Sequence, residues 1–173
     1  MQTPLFLRSL FICLALALVA ITLPNDARAQ TAVKKSFGEW QYTCSAGKDA
    51  KCALVQQRAI KDKNTGELGT VLSIGLAVTD DKKPKMTIGG PLGVELTQGM
   101  LVKIDGGKAI RVPFNQCIQL GCLAVVNVAD DFLDVMRRGS TLSVTFLPYG
   151  GKQGMTVEAS LSGFTAGYKA LSR

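Results

Sequence analysis

Ile104-Asp-Gly-Gly-Lys-Ala-Ile-Arg-Val-Pro-Phe-Asn-Gln-Cys-Ile-Gln-Leu-Gly-Cys122 is the stretch whose reading decides the fold. Asp105-Gly106-Gly107 is a tight-turn signal, because glycine reaches positive φ without steric cost. Met100, Val102 and Ile104 alternate into this turn, and Ile110, Val112 and Phe114 alternate out of it. Alternation on both sides of a glycine turn predicts an antiparallel hairpin. The stretch closes on two nearby cysteines, Cys117 and Cys122, around a short Gly-bearing segment.

The same period runs through the neighbouring chain. Upstream, Phe37 to Cys44 alternates after a short polar lead, with Trp40, Tyr42 and Cys44 on one face. Ser45 to Lys51 is a polar loop, and Cys52 to Ile60 is a second strand with Leu54 and Val55 on opposite faces. A polar connection with Asn64-Thr65-Gly66 as its turn leads to Thr70–Thr79, where Leu72, Ile74, Leu76 and Val78 point inward. Met86 and Ile88 mark a short strand, and Gly89-Gly-Pro-Leu-Gly93 reads as a loop.

Downstream, Leu123 to Val128 is apolar enough for a central strand, and Asp130 to Arg138 is the one convincing helix. Asp130 can cap that helix, Asp131 and Asp134 lie towards its positive end, Arg137 and Arg138 lie at the other, and Gly139 can stop it. Thr141–Phe146 and Met155–Leu161 alternate around a Pro148–Gly151 turn, and Phe164, Tyr168 and Leu171 recur at helical spacing. Short strands between turn signals, with little helix, predict an all-β, single-domain antiparallel β-sandwich or barrel with one or two short helices.

Residues 1–29 read as a cleaved secretory signal peptide. Arg8 precedes the apolar run Leu10 to Leu23, and Ala27-Arg28-Ala29 supplies the small-residue site, so cleavage is expected between Ala29 and Gln30. The apolar run is shorter than the roughly 18 to 20 residues of a bilayer span, so no transmembrane span is expected in the mature protein. Residues 30–173 are one domain by length. Removing Arg8, Arg28 and Asp26 takes the formal charge from +7 to about +6, spread along the chain. No clustered basic stripe is visible, so nucleic acid is not the expected partner.

Cys44, Cys52, Cys117 and Cys122 remain after cleavage, and an even count in an exported chain reads as two disulfides. Three connectivities are open. The local pairs Cys44–Cys52 and Cys117–Cys122 are preferred, since each flanks a segment able to turn back on itself, and neither spacing is a C-x-x-C redox motif.

Catalytic sets are hard to find. The chain has no histidine, which removes Ser–His and Cys–His pairs and the commonest ligand for zinc or copper. Gly107-Lys108 and Gly151-Lys152 complete no phosphate loop. Asp80-Asp81 and Asp130-Asp131 suit a solvated turn and a helix start better than facing acids across a cleft. Trp40 and Tyr42 are expected to pack in the core rather than form a ligand platform. Lys82, Lys83 and Lys85 could contact an acidic partner, although charge in such a turn also keeps a sheet soluble. The expectation is a non-enzymatic protein without cofactor or metal.

Several short motifs, taken in order, resemble the invasion-associated locus B family. They are Phe37-Gly38-Glu39-Trp40-x-x-x-Cys44, Cys52-Ala-Leu-Val-Gln56, Gly93-Val-x-Leu-x-x-Gly99, Ile104-Asp-Gly-Gly107, Pro113-Phe114-x-x-Cys117 and Gly121-Cys122. Arg137-Arg138-Gly139-x-x-Leu142 and Leu161-x-Gly163-Phe164-x-x-x-Tyr168 complete the set. The resemblance implies a β-rich protein exported by Gram-negative bacteria and associated with entry into host cells, and it carries over no catalytic residues. The expected function is binding of a macromolecular partner, either a host-surface or an envelope component. The alternative is a periplasmic envelope-maintenance module with no host role. The expected address is the periplasm, with outer-membrane association or surface display as variants of it.

Overall fold

The alternating runs become strands in a computed structural model, which describes residues 32–47, 50–61 and 66–172. The signal segment, its Ala29–Gln30 junction, and Asn64 and Thr65 of the expected turn lie outside the described residues. The strands are β1 (Ala32–Phe37), β2 (Trp40–Cys44), β3 (Cys52–Lys61), β4 (Leu68–Val78), β5 (Pro84–Gly90), β6 (Met100–Ile104), β7 (Ile110–Val112), β8 (Gln116–Ile118), β9 (Gly121–Asn127), β10 (Thr141–Phe146) and β11 (Met155–Ser160). Helix α1 (Asp130–Arg138) joins β9 to β10, and α2 (Phe164–Leu171) closes the chain.

Two antiparallel sheets result. The larger has the order β1-β2-β3-β4-β5-β9-β8, and the smaller β11-β10-β6-β7. Inward residues of both make one core, with Leu54, Ile74, Leu76, Met86 and Ile88 from the larger sheet against Met100, Val102, Val144 and Phe146 from the smaller. Each aliphatic chain so buried contributes roughly 1.5–3 kcal/mol. Four strands cannot cover seven, and α2 takes over beyond β11. Phe164 meets Trp40 edge-on at 5.3 Å, and Gly167 lies so close to β3 that a Cβ there would stand 2.5 Å from Leu54 Cδ1.

A buried amide joins the sheets. Gln56 Nε2 donates to the Ser160 carbonyl oxygen and Ser160 N donates to Gln56 Oε1, both at 2.9 Å. The indole N–H of Trp40 donates to the same carbonyl at 2.9 Å. Gln56 thus acts as a strand partner for the end of β11, whose outer edge no other strand of its sheet pairs.

Four expectations need correction. The polar lead before Trp40 is itself a strand: β1 pairs with β2, and Gly38, at φ 54°, helps the chain reverse between them. Gly89 and Gly90 are not loop residues. They pair within β5, and a Cβ on Gly90 would stand 2.3 Å from Phe146 Cε1, so the ring occupies the space a side chain would need.

At the Asp105-Gly106-Gly107 turn the positive φ, 47°, falls on Asp105 and on neither glycine. Asp105 Oδ1 accepts from Thr141 N at 2.9 Å, so a contact with the start of β10 holds the left-handed residue. Helix α1 has the expected bounds, but Ala129 occupies its N-cap without a side-chain bond, and Asp130 and Asp131 lie in the first turn. Gly139 ends the helix in extended backbone at φ −78°, and its missing side chain makes room for Ile104 Cγ2, which a Cβ would approach to 2.5 Å.

Three variants check this account by their stability. Gln56→Leu keeps the volume but leaves Ser160 N without its partner, and should cost about 1–3 kcal/mol in urea unfolding. Gly163 holds φ 84° and a Cβ on it would stand 2.1 Å from the Phe37 carbonyl oxygen, so Gly163→Ala should lower the melting temperature strongly. Gly106→Ala, facing open space, should stay within about 0.5 kcal/mol of wild type.

Candidate functional site

The cysteines form local bridges, Cys44–Cys52 and Cys117–Cys122. Each links directly opposed residues of a hairpin, β2 with β3 and β8 with β9. Their sulfurs are bonded, so neither pair offers a thiolate to a substrate or metal. Trp40 and Cys44 are buried and Tyr42 is half-buried, so this face packs inward and forms no open aromatic platform. Asp134 pairs with Arg137 at 2.7 Å on α1, and Arg137 lies 5.0 Å over the Tyr168 ring. Among the described residues no three Cys, Asp or Glu side chains converge as a metal site would require.

Lys82, Lys83 and Lys85 lie in and just after the β4–β5 turn, each in a different setting. The turn closes through Thr79 N donating to the Lys83 carbonyl at 3.0 Å and Lys82 N donating to the Thr79 carbonyl at 2.8 Å. Lys82 holds a left-handed φ of 59° and borders a depression with Val78, Tyr168 and Leu171. Lys83 faces Asp81 at 3.5 Å, with both groups largely in solvent. Lys85 lies on β5, opposite Ala77 and Asn127. The Thr79 hydroxyl bonds the Asp81 carboxylate, and chiefly this bond, with help from Lys83, holds the Asp81 carboxyl below the usual carboxylate value. An acid inside the turn weakens its positive field.

The opposite end of the sandwich is different in kind. The loop after β5 and the β8–β9 turn meet where the carbonyl of Gly90 comes so close to Gly121 that a Cβ there would stand 2.2 Å from it. The loop after β10 joins them, with Tyr149 N donating to the Gly93 carbonyl at 2.8 Å and Glu95 N to the Leu147 carbonyl at 2.7 Å. The segments so joined carry Leu92, Leu96, Ile118, Leu120 and Tyr149, all exposed, with Leu120 at 91% and Tyr149 at 80%. The β3–β4 hairpin runs beyond Gly90 towards the same end and exposes Ile60 and Leu68. Sequence reasoning took these segments as turns. The available signal was a large apolar residue beside each turn glycine or proline, as in Pro91-Leu92, Leu120-Gly121 and Pro148-Tyr149.

Comparison with known proteins agrees with this architecture. A family model described as "Invasion associated locus B (IalB) protein" matches residues 40–172. Two proteins named invasion protein B homolog, from Brucella abortus strain 2308 and from its biovar 1 strain 9-941, are each 26% identical over 152 residues. The match covers 88% of this chain and 84% of theirs. The crystal structure of invasion associated protein b from Bartonella henselae superposes with a TM-score of 0.69 at 17% identity, covering 81% of this chain and 96% of that one. That likeness is one of fold.

The Asp81 shift carries a testable sign. A carboxyl held low favours the folded turn above its ordinary pKa, and the preference is lost as pH falls through the lowered value. Thr79→Val should therefore raise the Asp81 pKa in an NMR titration. An unchanged value would remove the hydroxyl as the cause.

Proposed function

Because the chain belongs to the invasion associated locus B family, we propose that it is an exported, non-enzymatic envelope protein that binds a macromolecular partner through its loop end. The relatives' names connect the family to invasion, and a partner at a host surface is the reading they support. Export is supported by the signal-like residues 1–29 and by two disulfides, which persist in oxidising compartments. The bonded cysteines, Asp81 within its turn and Asp134 paired on its helix support a non-enzymatic role, since each is engaged by a neighbour.

One observation carries the partner-binding reading: Leu92, Leu96, Ile118, Leu120 and Tyr149 are each exposed on or beside the three connections that meet at one end of the sandwich. Water-exposed leucines scattered singly need no explanation, whereas a contiguous apolar group marks an interaction surface. Leu120 and Tyr149 are the natural anchors, because they are the most exposed of the five and have the most apolar surface to remove from water. The lysine turn at the other end is a second, charge-led contact, favoured by Lys82, Lys83 and Lys85 but diluted by Asp81.

Site-specific photo-crosslinking in intact cells tests this. A crosslinker at position 120 or 149 should give a discrete adduct, lost in the Leu92→Ser/Leu96→Ser background and persisting in 0.5 M salt. An adduct formed only from position 82 or 85, and abolished by salt, would transfer the contact to the lysine turn. Adducts from neither end would sink the partner-binding reading.

A further inference from the structure

One glycine of the larger sheet has no explanation inside the molecule. Gly75 lies in the middle of β4, between Val55 of β3 and Thr87 of β5. Its φ is not left-handed, and a Cβ on it would meet no atom within 4 Å. Gly89 and Gly90, by contrast, leave room for Ser73, Leu123 and Phe146. A glycine inside a strand weakens it, and often marks a place where a ligand or another backbone comes close.

The pairing register places its surroundings. Ile74, Leu76, Met86 and Ile88 point to the smaller sheet, and Leu133, Met136 and Phe164 of the helices join the same core. Residues directly opposite one another share a face, so Gly75, Thr87 and Val125 lie in one row on the outer face. Ser73, Gly89 and Leu123 form the row on one side, and Ala77, Lys85 and Asn127 the row on the other. Along β4 the outer face is therefore serine, glycine and alanine, a trough. Along β9, two strands away, it is leucine, valine and asparagine, a ridge on which Val125 is 37% exposed.

Trough and ridge are spaced to match each other in a second copy. Strand β5 lies midway between β4 and β9. A two-fold axis along β5, in front of the outer face, sets β9 of each copy against β4 of the other. Val125 then seats over Gly75, Leu123 over Ser73 and Asn127 over Ala77. Charge permits the contact. An isologous interface sets like groups against each other, and in a chain of net charge +7 Lys85 is the one charged residue in the three rows. Lys85 is exposed beside the β4–β5 turn, so its long stem can carry the ammonium to water.

The area is sufficient. Strands stand about 4.8 Å apart and residues about 3.3 Å apart, so the five strands from β3 to β8, over the six paired residues of β4 and β5, span on the order of 500 Å2. Two copies would cover about 1,000 Å2, the size of a specific but reversible contact.

We propose that the outer face of the larger sheet is a homodimer interface, in which the β9 ridge of each copy packs into the β4 trough of the other. Because the axis follows the strands, both loop ends point the same way and the dimer presents them side by side. The proposal goes beyond partner binding at the loop end and does not rest on it.

Sedimentation velocity of the purified protein, from about 1 to 500 μM, tests it. A monomer–dimer equilibrium in roughly the micromolar range is expected. It should be no weaker in 0.5 M salt, since no ion pair supports it and screening eases the facing lysines. Gly75→Val fills the trough and should weaken the dimer about tenfold. The melting temperature should not fall, because the added side chain has open space and suits a strand. Gly75→Val/Val125→Gly exchanges trough and ridge, and once its melting transition shows it folded it should dimerise within about threefold of wild type. Leu120→Ser/Tyr149→Ser should leave the dimer unchanged. A protein monomeric throughout this range, Gly75→Val dimerising as tightly as wild type, a folded double variant no tighter than Gly75→Val, or a dimer lost with the loop-end residues would each overturn the proposal.

Discussion

The architecture depends on satisfying one exposed strand edge inside the molecule. Strand β11 ends its sheet, and at Ser160 its backbone turns inward to where water cannot serve it well. Gln56 answers with an amide that matches a backbone peptide in both donor and acceptor, and the indole N–H of Trp40 takes the second lone pair of the same carbonyl. A buried peptide group left unpaired would be costly, so these three bonds fix where the smaller sheet ends and where α2 begins. Trp40 is held by that bond on one side and by Phe164 on the other. The two ends of the described chain therefore become neighbours.

This arrangement explains what the recurring motifs do. Gly38 and Gly163 belong to motifs far apart in sequence, yet a Cβ on Gly38 would stand 2.5 Å from the Ser162 carbonyl oxygen, and one on Gly163 would stand 2.1 Å from that of Phe37. Gly99 meets the backbone of Val112 and Pro113 in the same way, and Gly121 meets that of Gly90. These glycines are points where backbone passes backbone, and a side chain would push the strands apart. Trp40, Cys44 and Phe164 are core. The motifs that identify the family are thus instructions for folding. Of these motif residues only Leu96 is among the exposed apolar side chains at the loop end, which is why recognising the motifs leaves the activity to be argued from surfaces.

The mismatch between a seven-stranded and a four-stranded layer supplies those surfaces. On one flank α2 covers the excess, with Gly167 allowing it to approach Leu54. On the other flank β7 stops short, and an open depression beside Ile110, Val126 and Phe132 remains between it and α1. At one end, loops free of the ladder carry leucine and tyrosine outward. The two flanks follow from where the smaller sheet runs out of strands, and the loop end from backbone contacts between its connections.

The sequence by itself determined the period of nearly every strand and the limits of the helix from Asp130 to Arg138, because these are local properties of alternation and charge; it favoured the local cysteine pairs over two other connectivities, and the structure decided for them. It also singled out Asp105 to Gly107 as a turn. Only the tertiary structure decided which residue there takes the left-handed conformation, since Thr141 lies far along the chain and its amide is what holds Asp105. Likewise, Gly89-Gly90 looks like a loop in sequence and is strand in the structure: the space beside Gly90 is taken by the Phe146 ring of the facing sheet, and that beside Gly89 by Ser73 and Leu123 of the neighbouring strands. The grouping of Leu92, Leu120 and Tyr149 could not be read from spacing at all. Strand order brings their loops together, and strand order is set by pairings between distant segments.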